Sequence, residues 1–283
     1  LIRWMTAQGV NTSQQTNWAD VPRPTSIARG PSWEEMVDVC NELGADGWFN
    51  FPFRGTSDLV TQASTIVRDR MNPALKSYFE YGNELWNWAG GFLGAHYLLD
   101  LVTAGNKPYN WMEMAGGRST EVMQAVSAVF AGQMHRVVRV MGMQTGNTGL
   151  SQYNLYAPGW VAEVPGRVVP HTVHDAIAVA PYFSYTDAEA IISEYNSSGQ
   201  AAAYALMMSQ IVADIQATNT SYFSFYRTLA NTLGKQLIAY EGGNHSINFG
   251  TSTNSALITQ LVNAYVVSTD IVEHYGQMVD VWD

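Results

Sequence analysis

YFEYGNELWN, residues 78–87, is the stretch of sequence that decides the fold. Its first half is apolar and aromatic, which is typical of a buried β-strand. Its second half is polar, and Asn83 and Glu84 stand where a strand gives way to a turn. A buried amide and carboxylate are costly without hydrogen-bond partners, so this pair is either well satisfied or functional.

Further strand candidates alternate with helical segments along the rest of the chain. Helical spacing predicts helices over residues 33–43, 57–70, 90–101, 119–134, 201–216, 221–233 and 254–275. Strands are predicted to begin near Leu1, Gly47, Lys76, Arg136, Asp175 and Lys235. Residues 278–282 allow a seventh strand, but they are expected to continue the final helix. This alternation predicts βαβ units around a parallel sheet, with polar or glycine-rich loops at the carboxyl ends of the strands.

Composition narrows the class of protein. The 283 residues are 47% hydrophobic and 13% charged, which favours one large domain over residues 1–283. A formal net charge of -10 disfavours a nucleic-acid partner. Because no apolar run approaches the ~20 residues of a membrane span, no membrane partner is expected either. Cys40 is the single cysteine, so an intrachain disulfide is excluded, and we interpret it as a small buried residue.

A second carboxylate follows the last strand candidate, in LIAYEGGNH, residues 237–245. If this strand and the strand over residues 76–81 both belong to a barrel, Glu84 and Glu241 lie at their carboxyl ends, over the same face. Two such carboxylates are what glycoside hydrolysis needs, because one protonates the leaving oxygen while the other attacks the anomeric carbon or activates water.

These two motifs resemble those of a known family. Residues 81–87 are similar to the Asn-Glu motif that ends the fourth strand in clan A glycoside hydrolases, and residues 240–243 resemble the nucleophile motif of the seventh strand. The wider pattern resembles a bacterial branch described as cellulose-binding or glycosidase-like. The resemblance implies a (β/α)8 TIM-type barrel and a retaining glycosidase of polysaccharide degradation, secreted or periplasmic, with neither metal nor cofactor.

The resemblance also assigns roles. Glu84 would be the general acid/base and Glu241 the nucleophile. Asn83 would bind the sugar 2-hydroxyl, Arg3 would hold Glu241 ionised, and Tyr182 would orient Glu241 from the other side. Trp86, beside Glu84, would give the acid a partly apolar setting.

The chain departs from the family pattern in two respects. The first barrel strand would precede Leu1 and the eighth would follow Asp283, so neither is evident and the eighth-strand Trp that closes the sugar site is missing. Phe53-Arg54 also stands where many relatives place a His. The alternative function is therefore a non-catalytic carbohydrate-binding barrel that keeps the sugar groove.

Other polar residues allow two interpretations each. Asn50 and Gln144 follow strands, where they either bind substrate or satisfy a loop, and His245 is placed among the supporting residues. Glu80 is expected to be a structural carboxylate that points into the barrel. Glu84 has the alternative of capping a helix near Leu85, and Glu241 that of a turn residue.

The histidines raise a third possibility, a metal-dependent hydrolase. His171 and His174 lie three residues apart, and His245 follows Glu241. The chain has no HExxH motif and no carboxylate at ligand spacing, so we interpret them as hydrogen-bonding or surface histidines and predict no metal site.

Overall fold

The computed structural model describes residues 1–26, 30–248 and 250–282. These residues form two compact units, Leu1–Ala178 with Ala230–Ile238, and Val179–Leu229 with Ala239–Asp283. Because one domain can contain several compact units, the single domain over residues 1–283 stays a prediction. The predicted loop over residues 6–31 includes residues 27–29, which lie outside the described residues.

A curled parallel sheet of six strands organises the first unit. Its strands follow one another in chain order: β1 (Ile2–Arg3), β2 (Gly47–Phe51), β3 (Ser77–Tyr81), β4 (Val137–Gly142), β5 (Ala176–Val179) and β7 (Gln236–Ala239). A doubly wound sheet would reverse its order at a switch point, whereas sequential order is that of a barrel wall. The α/β class and the six predicted strands are confirmed.

Alternate side chains of β2 and β3 point to opposite faces of the sheet. Phe49 and Phe51 stack on Trp33 of helix α1 (Trp33–Leu43), with ring centroids 5.7 and 5.3 Å apart. The other face carries Asn50 and Glu80, which are direct partners in the parallel register. Asn50 and Glu80 therefore lie on the face of the sheet opposite to Trp33 of α1.

The helices of the first unit connect these strands. Helices α1 and α2 (Ser57–Arg70) have the predicted bounds, because Ser32 and Thr56 cap their first turns through side-chain oxygens. They are followed by α3 (Gly94–Ala104), α4 (Trp111–Val129), α5 (Ser151–Tyr156) and α6 (Pro158–Glu163).

Helix α4 begins eight residues before the predicted start at residue 119. Asn110 caps it by accepting hydrogen bonds from the backbone N–H groups of Met112 and Glu113, 2.9 and 3.0 Å away. The prediction was wrong because a Gly pair follows this cap, and glycine disfavours helix interiors. Here the pair permits close packing: a Cβ at Gly116 would lie 2.3 Å from the carbonyl oxygen of Asn154.

The second unit contains a small parallel sheet and a helical core. Strands β6 (Tyr182–Phe183) and β8 (Gly243–Asn244), which were not predicted, pair with each other. The helices are α7 (Ala188–Ser198), α8 (Gln200–Thr218), α9 (Ser224–Leu233, which continues into the first unit), α10 (Ser255–Val266) and α11 (Asp270–Trp282).

The predicted final helix over residues 254–275 is wrong in one respect, because it is two helices. Ser268 ends the first by bonding the carbonyl oxygen of Tyr265 at 2.8 Å, and its hydroxyl accepts a hydrogen bond from the N–H of Asp270 at 3.1 Å. The axes of the two helices meet at 74°.

No single helix of the described residues is long and apolar enough to cross a membrane, although α10 and α11 together have the length and the hydropathy of a span.

Candidate functional site

Glu80 lies at the centre of a hydrogen-bond network at the carboxyl end of β3. Its Oε2 accepts bonds from the guanidinium of Arg3 at 2.9 Å, from the indole N–H of Trp48 at 2.9 Å and from the amide of Asn50 at 2.8 Å. Only 3% of Glu80 is exposed. The prediction that Glu80 is a hydrogen-bonded structural carboxylate is confirmed, because these donors come from two neighbouring strands.

The same network holds Asn83. Its Oδ1 accepts a bond from Arg3 at 2.7 Å, and its Nδ2 donates to Oδ1 of Asn11 at 2.9 Å. Asn50, which is fully buried, also donates to the carbonyl oxygen of Gly82 at 2.8 Å. Asn50 therefore acts as a support for Glu80 and for the turn that carries Asn83.

This turn places Glu84 in an unusual backbone conformation. Gly82 and Glu84 both have positive φ angles, 67° and 42°. The left-handed region costs a residue with a Cβ roughly 1–2 kcal/mol, so glycine is expected there and glutamate is not. No described helix begins near Leu85, since α3 starts at Gly94, and the helix-cap interpretation of Glu84 is therefore wrong.

The carboxylate of Glu84 is oriented by its own loop. Its Oε2 accepts a hydrogen bond from Nδ2 of Asn87 at 2.9 Å. Glu84 is half-buried, and buried Trp86 lines the same small cavity. Trp86 thus lies beside Glu84, as the sequence predicted, and the role of Glu84 as the acid stays a prediction.

The cavity beside Glu84 is narrow. It is also lined by Glu80, Gly142 and Asn154, and its volume of about 10 Å³ fits about one water molecule. A Cβ at Gly142 would lie 2.9 Å from Oε1 of Glu80 and 3.5 Å from the ring of Trp86. Glycine at the end of β4 therefore leaves the space that the Trp86 ring and the Glu80 carboxylate occupy.

Exposed aromatic residues extend the site beyond this cavity. Trp88 is 41% exposed, and its ring meets those of His96 and Trp111 edge-on at 5.0 and 5.1 Å. Sequence reasoning missed Trp88, although its place two residues after Trp86 put an indole close to the polar turn. An exposed indole held by neighbouring rings offers an apolar surface to a sugar.

The remaining predicted residue of the first unit is Gln144. It is half-buried and follows β4, and its carbonyl oxygen accepts a bond from the N–H of Asn147 at 3.2 Å. The structure thus confirms its position after a strand, and its role stays a prediction.

In the second unit, Glu241 occupies the bend between β7 and β8 and is half-buried. The backbone around it is fixed on both sides, because Tyr240 N–H donates to the carbonyl oxygen of Val179 at 3.0 Å and Gly243 N–H to that of Pro181 at 2.9 Å.

Two aromatic residues accompany Glu241 in this unit. Tyr182 belongs to β6 and His245 directly follows β8, the paired strand, and their ring centroids are 5.0 Å apart. His245 N–H donates to the carbonyl oxygen of Phe183 at 2.8 Å, which sets the register. The structure therefore brings Tyr182 and His245 together, and their role as supporting residues stays a prediction.

The predicted hydrogen-bonding role of His174 is confirmed. Its Nδ1 donates to the carbonyl oxygen of Pro170 at 2.7 Å, so its Nε2 accepts from the hydroxyl of Ser119 at 2.8 Å. Burial lowers the pKa of His174 to about 4.

Among residues 1–26, 30–248 and 250–282, no group of three His, Cys, Asp or Glu side chains could hold a metal ion.

The predicted buried state of Cys40 is also confirmed, and burial raises the pKa of its thiol.

Comparison of the chain with protein-family models, curated proteins and solved structures finds no match. The resemblance to clan A glycoside hydrolases remains a prediction from the two glutamate motifs.

Proposed function

We propose that the protein is a retaining glycoside hydrolase of a β-linked glycan, built on a (β/α)8-type barrel. The observation that carries this proposal is the backbone of Glu84, a glutamate held at a positive φ at the carboxyl end of a parallel strand. Strained residues persist where the surrounding structure holds them in place, and they cluster at functional sites. The carboxyl ends of the strands are also where barrel enzymes carry their active sites.

The mechanism we propose is double displacement. Glu241 attacks the anomeric carbon while Glu84 gives its proton to the departing glycosidic oxygen, so an ester forms and the glycosidic bond breaks. Glu84 then takes a proton from water, and the resulting hydroxide displaces Glu241 from the sugar. Both glutamates return to their starting protonation states, and no external reactant besides water is consumed.

The neighbouring residues support these roles. Asn83 accepts a bond from Arg3 through its carbonyl oxygen, so we assign its amide nitrogen, which donates one hydrogen to Asn11, to the sugar hydroxyl. Trp86 packs beside the acid, and exposed Trp88 provides a stacking surface. In the second unit, the rings of Tyr182 and His245 contact each other, and the strand of Tyr182 pairs with β8, which follows Glu241.

Activity on a panel of glucans, xylans and mannans tests the proposal. We expect Glu241→Ala to abolish turnover and azide to restore it as a glycosyl azide. Glu84→Gln should lose about 10²–10⁴-fold on natural glycans. It should lose much less on aryl glycosides whose phenol leaves without protonation. Glu42→Ala, which removes an exposed glutamate of α1, is the matched control and should keep full activity.

Two outcomes would overturn the enzyme proposal. Full activity in Glu241→Ala would exclude the nucleophile. Binding of a glycan by the unaltered protein without hydrolysis over long incubation would establish the alternative, a carbohydrate-binding protein. Exposed Trp88, which offers a stacking surface to a sugar, is the observation that favours it.

A further inference from the structure

A second cleft lies in the first unit, lined by residues of the loop after β2 and of helices α3, α4 and α6. Its volume is about 460 Å³, which is within the usual range for small-molecule sites. None of the residues that line this cleft also lines the cavity beside Glu84. The charged members are Arg54, Lys107, Arg118, Glu121, Glu163 and Arg167.

The charge of this cleft is opposite to that of the chain. Four cations and two carboxylates line it, although the whole protein has a formal charge of -10. Glu163 serves two of the cations: it pairs with Lys107, and Arg167 contacts it at 2.8 Å. Hydrogen bonds from Lys107, Arg167 and Tyr109 lower the pKa of Glu163 to about 2, so it stays charged.

Arg118 has its own carboxylate, Glu121, one turn further along α4. Arg54 differs from all of these. Among the described residues, its guanidinium makes no hydrogen bond or ion pair, and its Nε is buried without a partner. The guanidinium instead stacks on the ring of Tyr97, with its central carbon 4.6 Å from the ring centroid.

An unpaired guanidinium beside apolar walls defines the chemistry of a ligand. Arginine presents a planar set of donors that matches a carboxylate in a bidentate arrangement. One negative charge balances Arg54, and Tyr97, Leu101 and Met114 provide apolar surface for the body of the ligand. The volume accommodates a single six-membered ring with its substituents.

We propose that this cleft binds a small ring-bearing carboxylate, with Arg54 as the group that recognises the anion. Two sources share this chemistry: a uronic acid, in which the carboxylate is carried on a sugar ring, and an aromatic acid. The proposal does not depend on the glycosidase activity, because neither Glu84 nor Glu241 lines the cleft.

Isothermal titration calorimetry with glucuronate, p-coumarate, glucose and inorganic phosphate tests the proposal. We expect at least one of the two ring carboxylates to bind, and glucose and phosphate to bind at least tenfold more weakly. Arg54→Gln should weaken carboxylate binding at least tenfold. Lys76→Gln removes an exposed cation that does not line the cleft and is the matched control, with unchanged affinity expected.

Circular dichroism melting establishes that each variant is folded. If Arg54→Gln fails to fold, Arg54→Lys keeps the charge while losing the planar donor set, and it should bind several-fold more weakly than the unaltered protein. The proposal is overturned if neither ring carboxylate binds, if phosphate or glucose binds as tightly as the carboxylates, or if the Arg54 variants bind like Lys76→Gln.

Discussion

Glu80 and Glu84 are four residues apart, yet the strand and the turn that carry them treat a carboxylate in opposite ways. In β3, Glu80 is 3% exposed, and one of its oxygens accepts bonds from Arg3, Trp48 and Asn50. In the turn, Glu84 is half-buried, has a positive φ and is oriented by Asn87 of its own loop. Glu80 therefore holds the sheet together, whereas Glu84 is held at a conformational cost.

The difference separates a stabilising carboxylate from a conformationally strained one only four residues away. A carboxylate that receives three donors from other strands contributes to stability, and its loss removes the acidic partner of the partly buried Arg3. A glutamate in a region that favours glycine reduces stability, so its presence needs another reason. Replacing Glu80 should consequently lower the free energy of unfolding, whereas replacing Glu84 by glycine should raise it.

The largest expected effect is on Glu80. Glu80→Ala should lower the free energy of unfolding by about 3–5 kcal/mol, because Arg3 loses its buried partner. Glu84→Ala should change it by less than about 1 kcal/mol. Urea denaturation of both variants measures this difference, and equal destabilisation by the two would break the comparison.

His174 extends the comparison to the hydrogen bonds behind the site, because its partner Ser119 lines the cavity with both glutamates. Its pKa is about 4 in the folded protein against 6.5 as the reference value. The unfolded state therefore binds more protons between these values. Its contribution to stability is complete above pH 6.5 and declines as the pH falls to 4, by about 3 kcal/mol.

Unfolding free energies measured from pH 4 to 7 check this expectation. His174→Gln should reduce the pH dependence, whereas His135→Gln, which alters an exposed histidine, should leave it unchanged. A pH profile of His174→Gln that parallels the unaltered protein would contradict the assignment.

The smallest effect has the most informative sign. Glu84→Gly should raise the free energy of unfolding by about 1 kcal/mol, because glycine adopts a positive φ without a steric cost. The same variant should lose the glycosidase activity that we propose. Asn106→Gly is the control: Asn106 also has a positive φ, 46°, but asparagine tolerates this region better, so a smaller gain is expected. A loss of stability in Glu84→Gly would refute the strain.

Sequence periodicity predicted the elements whose signals are local. The bounds of α1 and α2 follow from apolar spacing and from the caps at Ser32 and Thr56. The six strands were found because each is a short apolar run. The two parts of the last helical segment could not be separated, since the break depends on hydrogen bonds of Ser268.

The candidate site was predictable only in part, because its contacts join distant segments. The sequence placed Asn83 and Glu84 at a strand end and separated Glu80 as structural. It did not reveal that Arg3 would reach Glu80, 77 residues away, since no local pattern encodes a contact between strands. The positive φ of Glu84 was equally hidden, because propensity assigns such angles to glycine.

The Glu80 network also constrains how the sheet can assemble. Its donors lie on β1 and β2, opposite defined residues in the parallel register: Arg3 faces Trp48, and Asn50 faces Glu80. A slip of one residue would turn Glu80 to the other side of the sheet, among the phenylalanines, and would leave its donors without an acceptor. The Glu80 carboxylate therefore favours the native register and disfavours misaligned strand pairings during folding.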